Sequence, residues 1–179
     1  MVWSSVPMLF HVGIMYTFGP SIPTQQNMAL PTDIQLNLPS YAYRLSPDGQ
    51  RIFDPVRKRY VALTPEEWVR QHLVNFLVHH RGVPAGLMQV EASLRLNGLS
   101  QRADVVVFDR QAQPLLVAEC KAPGVALSEG VLRQAYRYNM RFCAAHILIS
   151  NGLHHVCLRI DRSTGAAQQI DDVPCYGAM

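Results

Sequence analysis

Two uninterrupted apolar runs constrain the fold of this chain more than any other feature of its sequence. They are VVVF at residues 105–108 and LLVA at residues 115–118, separated by a short polar segment that ends in Pro114. A strand whose side chains are apolar at every position must be covered on both faces. We therefore expect two antiparallel strands, joined by a hairpin-length connection, at the centre of a sheet with helices on both sides.

Capping and turn residues place the other elements around these two strands. Thr64 is a cap and Pro65 an opening residue for a helix that runs to about residue 80. Asn-Gly pairs at residues 97–98 and 151–152 mark hairpins. Strands are expected at 88–96, 102–108, 115–120, 145–150 and 156–160, the last at a sheet edge, and a second helix at 128–142. This order predicts an α/β fold with a mixed sheet.

Length and composition are those of a single folded domain. The chain has 179 residues, of which 49% are hydrophobic and 16% charged, and these values exclude an intrinsically disordered chain. We predict one domain at residues 28–179, preceded by a weakly structured extension at residues 1–27, with Met28 as the hypothesised translation start. The net charge of +3 is compatible with a polyanionic partner but does not by itself indicate one.

Neither a membrane segment nor a secretion signal is expected. The apolar run at residues 8–18 is too short to span a bilayer, and no lysine or arginine precedes Arg44. The cysteines contain no Cys-x-x-Cys pair, which favours reduced, buried thiols over a zinc site or a disulfide framework. They are Cys120, Cys143, Cys157 and Cys175. Reduced thiols are typical of a cytoplasmic protein, which is the predicted location.

Three charged residues border the apolar runs, where a buried sheet tolerates few. Asp104 precedes the first run, while Glu119 and Lys121 follow the second and share a face of their strand. Antiparallel pairing of the two runs brings Asp104 close to Glu119. A structural ion pair is one explanation, but we favour a functional site because buried ion pairs are poor stabilisers.

A divalent cation is the partner that these residue types favour. Carboxylate oxygens are hard ligands that suit magnesium (or manganese), whose coordination shell is completed by water and substrate phosphate. Such an ion would polarise a phosphodiester and lower the pKa of a water molecule, while Lys121 orients that water and screens the developing charge. The predicted chemistry is phosphodiester hydrolysis.

The same residues carry a resemblance to a known family. Residues 105–118 separate Asp104 from Glu119-Cys120-Lys121, and the next helix holds a Gln-x-x-x-Tyr element made of Gln134 and Tyr138. This pattern resembles the PD-(D/E)XK nuclease superfamily, in particular the amino-terminal nuclease domain of the type I restriction enzyme R (motor) subunit, over residues 62–160. The resemblance implies a restriction-endonuclease-like αβββαβ core, with a mixed central sheet flanked by helices.

The resemblance also implies roles for individual residues. Asp104 and Glu119 are the implied ligands of Mg (or Mn), and Lys121 is the implied catalytic lysine. Gln134 and Tyr138 are implied to support the site or to lie beside the DNA backbone. The implied activity is that of a magnesium-dependent deoxyribonuclease with DNA as its substrate.

The sequence alone leaves open which residue supplies a further carboxylate to the metal site. The resemblance implies an acidic residue in the first helix, where Glu66 and Glu67 are the candidates. We favour Glu67 as an additional metal ligand, although its place in the capping box explains a glutamate equally well. Glu91 on the first strand is an alternative source of the carboxylate, but there an outward-facing side chain is expected.

Basic residues and histidines show weaker patterns. Arg133, Arg137 and Arg141 recur every four residues along the second helix, where they either neutralise DNA phosphates or form a solvated face. A local basic patch lies before the first helix. It consists of Arg51, Arg57, Lys58 and Arg59. The adjacent histidines His79-His80 and His154-His155 lack the spacing of a metal site and are expected at the surface or in turns.

Two functions remain in view. The first is an endonuclease-like domain that acts on DNA and stands alone, since the sequence contains no G-x-x-x-x-G-K-[ST] motif. Translocation would then need a separate motor or modification protein as a partner. The alternative is a catalytically silent module that keeps the nuclease fold and binds nucleic acid or a protein partner.

Overall fold

The computed structural model describes residues 31–96 and 99–179, without the side chains of residues 93–96, 99–101, 138 and 141. The expected extension at residues 1–27 lies outside this part. The helices are α1 (Pro65–Arg81) and α2 (Glu129–Phe142). The strands are β1 (Arg51–Asp54), β2 (Arg59–Ala62), β3 (Met88–Leu96), β4 (Leu99–Phe108), β5 (Pro114–Cys120), β6 (His146–Ser150), β7 (His155–Ile160) and β8 (Ala167–Ile170). Short 3-10 helices lie at Pro31–Asp33, Ala85–Leu87 and Tyr176–Ala178.

The main sheet is mixed and has the order β3-β4-β5-β6-β7-β8. Strands β5 and β6 are parallel, and every other neighbouring pair is antiparallel. The predicted αβββαβ core and the interior position of β4 and β5 are confirmed. The predicted edge position of residues 156–160 is wrong, because β8 pairs with the outer side of β7. Strands β1 and β2, which form a separate two-stranded sheet, were not predicted from the sequence.

Helix α1 begins and ends where its capping residues predict. The Thr64 side chain accepts a hydrogen bond from the backbone N–H of Glu67, at 3.0 Å, and Pro65 is the first helical residue. Gly82 ends the helix in the left-handed conformation, with φ at 70°, and its N–H donates to the carbonyl of Leu77. This geometry satisfies backbone groups that a helix end otherwise leaves unpaired.

The two helices cover opposite faces of the central strands. On one face, Val69 and Leu73 of α1 belong to the same buried cluster as Leu116 and Ala118 of β5. On the other face, α2 packs against β5 and β6, with its residue Phe142 buried beside Val117. Both faces of the apolar strands are therefore covered, as the uninterrupted runs predicted.

The segment before β1 lies against the hairpin between β6 and β7. Gly152 in that hairpin has φ at 81°, and a Cβ atom there would lie 2.7 Å from Leu36 and 2.9 Å from Val69. Only glycine fits such a close approach. The hairpin predicted at Asn151-Gly152 is confirmed, with Asn151 Oδ1 accepting from the N–H groups of Leu153 and His154. Within the described residues, no helix combines the length and hydropathy needed to cross a bilayer.

Candidate active site

Strand register brings Asp104, Glu119 and Lys121 together at one end of the sheet. Val105 pairs with Ala118, so the same register places Asp104 opposite Glu119. Oδ2 of Asp104 accepts a hydrogen bond of 2.6 Å from the backbone N–H of Cys120. Nζ of Lys121 donates to Oε1 of Glu119, at 2.8 Å. The structure therefore assembles both carboxylates and the ammonium in one cluster.

The Glu119 carboxyl group is held in an environment that disfavours its charge. Only 11% of its side chain is exposed. Burial raises the pKa of Glu119, and the negative charge of Asp104 raises it further, while the hydrogen bond from Lys121 acts in the opposite direction. The net shift of the Glu119 pKa is upward, so the effect of Lys121 does not offset the combined effect of burial and of the negative charge of Asp104.

Lys121 is kept protonated by the same cluster. Burial lowers the pKa of Lys121, but the hydrogen bond and the charge of Glu119 outweigh burial, and the net shift is upward. Its backbone N–H donates to the carbonyl of Ser150, at 2.8 Å, which fixes the chain just after β5 against β6. Lys121 therefore offers a positioned ammonium rather than a proton acceptor.

Arg70, which the sequence analysis did not single out, supplies a buried guanidinium to the cluster. Nη2 of Arg70 lies 2.8 Å from Oδ1 of Asp104 and 3.0 Å from Oε1 of Glu66. Its Nη1 pairs with Oε2 of Glu67. Burial lowers the pKa of Arg70, but the carboxylates of Asp104 and Glu67 outweigh it and raise the pKa overall. An arginine on the buried face of a helix was the signal available in the sequence.

A second guanidinium, from Arg57 in the turn between β1 and β2, continues the network. Arg57 lies 2.5 Å from Asp54, 2.6 Å from Glu67 and 2.6 Å from Glu91, each through a different nitrogen. Gln71 adds hydrogen bonds of 2.9 Å to Asp54 and 2.8 Å to Glu67. The small sheet is thereby tied to the same charged cluster as β4 and β5.

The two acidic residues of α1, Glu66 and Glu67, differ in how they relate to the Asp104 and Glu119 pair. Glu67 is held by Arg57, Arg70 and Gln71. Burial and Asp104 are the main causes of the raised pKa of Glu119, and the charge of Glu66 adds a smaller contribution. Glu67 as a metal ligand stays a prediction, and this geometry favours Glu66 over it.

The expectation that Glu91 faces outward is wrong. Its side chain is only 22% exposed and pairs with Arg57, Arg70 and Arg102. Val90 pairs with Val105 and Ala92 with Ala103, so Glu91 lies opposite Asp104 in the sheet. Glu91 adopts φ at 56°, a left-handed conformation that is uncommon for residues other than glycine.

The donor set at Asp104 and Glu119 fits a small, hard cation. Magnesium is commonly bound through one or two carboxylates, with water and phosphate completing its shell. The raised pKa of Glu119 shows that the cluster favours additional positive charge. Within the described residues, no group of three or more His, Cys, Asp or Glu side chains is arranged to hold a metal ion.

Comparison with known proteins identifies the family. A family model described as "Type I restriction enzyme R protein N terminus (HSDR_N)" matches residues 65–174. The chain belongs to this family. No curated protein matches the chain.

A solved fragment of an HsdR subunit of a type I restriction enzyme from Vibrio vulnificus YJ016 is similar to part of the chain, with 20% identity and a TM-score of 0.48. The match covers 63% of this chain and 24% of that one.

The R-protein family match includes most of the cluster, but not all of it. Glu66, Arg70, Asp104, Glu119 and Lys121 lie within residues 65–174. The hairpin that carries Arg57 precedes the matched residues. The contribution of Arg57 is therefore a feature that the structure of this member shows and the family match does not.

The predicted residues of α2 are only partly described. Gln134 lies in α2 and is half-buried, and the side chain of Tyr138 lies outside the described residues. Arg133 pairs with Glu129 at 3.0 Å on the exposed face of the helix. Arg137 is exposed, and the side chain of Arg141 is not described. The roles of Gln134 and Tyr138 stay predictions.

The histidines and cysteines agree only in part with expectation. His79, His80 and His154 are exposed, as predicted. The expectation for His155 is wrong, because it is half-buried in β7 and its ring nitrogens lie 2.9 Å from Ser150 Oγ and from the carbonyl oxygen of Asn37. All the cysteines are unpaired, as predicted. Those buried are Cys120 and Cys157, and those exposed are Cys143 and Cys175, so burial was predicted correctly for half of them.

Proposed function

We propose that this domain hydrolyses phosphodiester bonds of DNA with a divalent cation, magnesium or manganese, held by Asp104 and Glu119. The observation that carries the proposal is the pair of facing carboxylates beside Lys121, in which the pKa of Glu119 is raised by burial and by Asp104. Anionic ligands can hold a cation that activates a phosphodiester, and a nearby ammonium can stabilise the negative charge that develops on it. Membership of the type I restriction enzyme R-protein family supports DNA as the substrate.

The chain's own residues have separate roles in this chemistry. The bound cation supplies Lewis-acid activation of the phosphodiester. Asp104 is oriented by the Cys120 N–H and by Arg70, which fixes one carboxylate in β4 beside the end of β5. Lys121, protonated and positioned by Glu119, donates hydrogen bonds to a phosphate oxygen and stabilises the negative charge that develops there. The half-buried setting of the cluster strengthens these interactions.

Arg70 is the residue with which the cation must share Asp104. Its guanidinium already neutralises this carboxylate, because Nη2 lies 2.8 Å from Oδ1. We infer that Arg70 holds the carboxylate in place while the cation is absent. Arg70 also contacts Glu66 and Glu67, and these contacts would anchor its guanidinium if a cation took its place at Asp104.

The same observation favours a second candidate function. A buried arginine that satisfies Asp104 neutralises this carboxylate without any metal, and the described residues contain no group of three or more His, Cys, Asp or Glu side chains arranged to hold a metal ion. A catalytically silent domain that binds DNA or a protein partner would retain such a cluster. A motor or modification protein is the partner that we propose for either function.

A nuclease assay separates the two functions. The full chain is incubated with supercoiled plasmid in Mg²⁺ or Mn²⁺, and nicking is compared with that by Lys121→Ala and by Arg110→Ala, a variant at the opposite end of the sheet. We expect Lys121→Ala to lose activity by on the order of a hundredfold, as for other groups that stabilise transition-state charge, and Arg110→Ala to retain it. Full activity in Lys121→Ala contradicts the mechanism. DNA binding without nicking by the unaltered protein supports the silent module.

A further inference from the structure

The β1–β2 hairpin presents a surface that the proposed chemistry does not use. Ile52 and Asp54 of β1 are fully buried, so the alternating residues Arg51 and Phe53 lie on the outer face. Phe53 pairs with Tyr60 of β2 in the antiparallel register. We call the outer face, together with the turn residue Lys58, the hairpin surface.

Positive charge dominates this surface. The exposed cationic side chains in the segment 41–62 belong to Arg44, Arg51, Lys58 and Arg59. The exposed carboxylate in the same segment is that of Asp48, while Asp54 is buried and paired with Arg57. A surface that is only solvated would carry positive and negative side chains in similar number. The excess of positive charge therefore favours an anionic partner.

Aromatic rings lie between these cations. Tyr60 is 42% exposed, and its ring meets that of Phe53 edge-on, with centroids 5.4 Å apart. The guanidinium of Arg44 lies 3.9 Å from the centroid of Phe53. Exposed rings flanked by cations are the arrangement on which unpaired bases stack while their phosphates are neutralised. A double helix keeps its bases stacked inside and cannot use such rings in this way.

The turn of the hairpin is held in a fixed conformation. Oδ1 of Asp54 accepts hydrogen bonds of 2.8 Å from the N–H groups of both Val56 and Arg57. Lys58 then adopts φ at 52°, in the left-handed region that favours glycine. A lysine at this position has a conformational cost that glycine would avoid.

The hairpin surface adjoins the proposed active site. Arg57, which directly precedes Lys58, pairs with Glu67 and Glu91 in the charged cluster that also contains Arg70 and Asp104. A strand bound along the hairpin would therefore lie next to the charged cluster.

We propose that the hairpin surface binds a single strand of DNA, with phosphates on Arg51 and Lys58 and a base stacked on Tyr60. The inference rests on the proposed function for its substrate class and adds to it the preference for an unpaired strand. Binding itself needs no cation, so it can be tested apart from hydrolysis.

The test measures the affinity of the full chain for a fluorescently labelled single-stranded DNA of mixed sequence, by anisotropy in EDTA, across about 50 to 200 mM salt. The double variant Arg51→Ala, Lys58→Gly removes two cations, and glycine suits the backbone at residue 58. We expect the slope of log affinity against log salt to become shallower by about 1.4, at roughly 0.7 for each phosphate that the variant no longer neutralises. Arg110→Ala, Arg159→Ala makes the same change of charge at the far end of the sheet and should leave the slope unaltered.

Tyr60 variants test the stacking contact. We expect Tyr60→Ala to weaken single-strand binding by on the order of tenfold and Tyr60→Phe to retain it. A duplex of the same sequence should be bound no more tightly than the single strand, and its affinity should not change in either Tyr60 variant. An unchanged salt slope in the hairpin variant, an equal change in the control, or a duplex preferred over the single strand would each overturn the inference. If the unaltered protein binds single-stranded DNA but does not hydrolyse DNA, that result would count against the proposed function alone.

Discussion

Nη2 of Arg70 donates a hydrogen bond of 2.8 Å to Oδ1 of Asp104, which joins α1 to the start of the apolar run in β4. The Arg70 side chain is 6% exposed and that of Asp104 is 13% exposed. Each charge is therefore largely removed from water and depends on the other. The contact explains how a carboxylate within a largely buried strand is tolerated without a cation.

Replacing Arg70 should destabilise the metal-free protein strongly. Arg70→Gln leaves Asp104 without its buried counter-charge, so we expect the free energy of unfolding to fall by about 3–5 kcal/mol. Denaturant unfolding in EDTA measures this change. Arg133→Gln, which breaks an exposed pair with Glu129, should cost at most about 0.5 kcal/mol. Equal effects of the two variants would show that the Arg70 pair is not a buried structural contact.

Glu119 should make the stability of the metal-free protein depend on pH. Because its pKa is raised in the folded state by burial and by Asp104, its favourable contribution is present below the pKa of the unfolded chain and is lost as pH rises through the raised folded value. Glu119→Gln cannot titrate there. We expect the melting temperature of the variant, relative to the unaltered protein, to increase between about pH 4 and pH 8. Calorimetry in EDTA measures this difference, and a constant difference would contradict the raised pKa.

We expect the ion pairs of the Glu91 carboxylate to stabilise the protein by more than the left-handed backbone conformation of this residue costs. Ala112, in the turn between β4 and β5, has φ at 59°, close to the 56° of Glu91. Ala112→Gly relieves backbone strain alone, so the free energy of unfolding should rise by up to about 1 kcal/mol. Glu91→Gly gives the same relief but removes a partner of Arg57 and Arg70, and a net loss of about 1–3 kcal/mol is expected. Chemical denaturation of both variants checks this, and stabilisation by Glu91→Gly would contradict the ionic role.

The parts of the fold and site that the sequence predicted correctly depend on local information. Apolar runs and a short polar connection define the pairing of β4 with β5, and that register alone places Asp104 opposite Glu119. The capping residues of α1 act within one turn of the helix. For the same reason the Asn-Gly hairpin at residues 151–152 was predicted before any tertiary contact was known.

The features that were missed depend on contacts between distant segments. An arginine is ordinarily exposed, and the sequence signal for Arg70 was limited to its place on the buried face of α1. The burial of Arg57 and Arg70 is created by contacts with Glu67, Glu91 and Asp104, which come from three different elements. The orientation expected for Glu91 was wrong because regular strand alternation assumes an extended backbone, whereas Glu91 adopts a left-handed conformation. Strand β8 was missed since AQQI is short and polar, which is typical of a protected edge strand.

Cation binding at Asp104 and Glu119 is the central claim, and titration calorimetry with Mg²⁺ or Mn²⁺ tests it most directly. The unaltered chain should bind at a single saturable site, and Asp104→Asn and Glu119→Gln should each weaken binding by more than about tenfold. Asp172→Asn, which removes an exposed carboxylate paired with Arg81, should bind as the unaltered chain does. Absence of saturable binding, or binding that survives in both Asp104→Asn and Glu119→Gln, would contradict a metal-dependent nuclease site in this cluster.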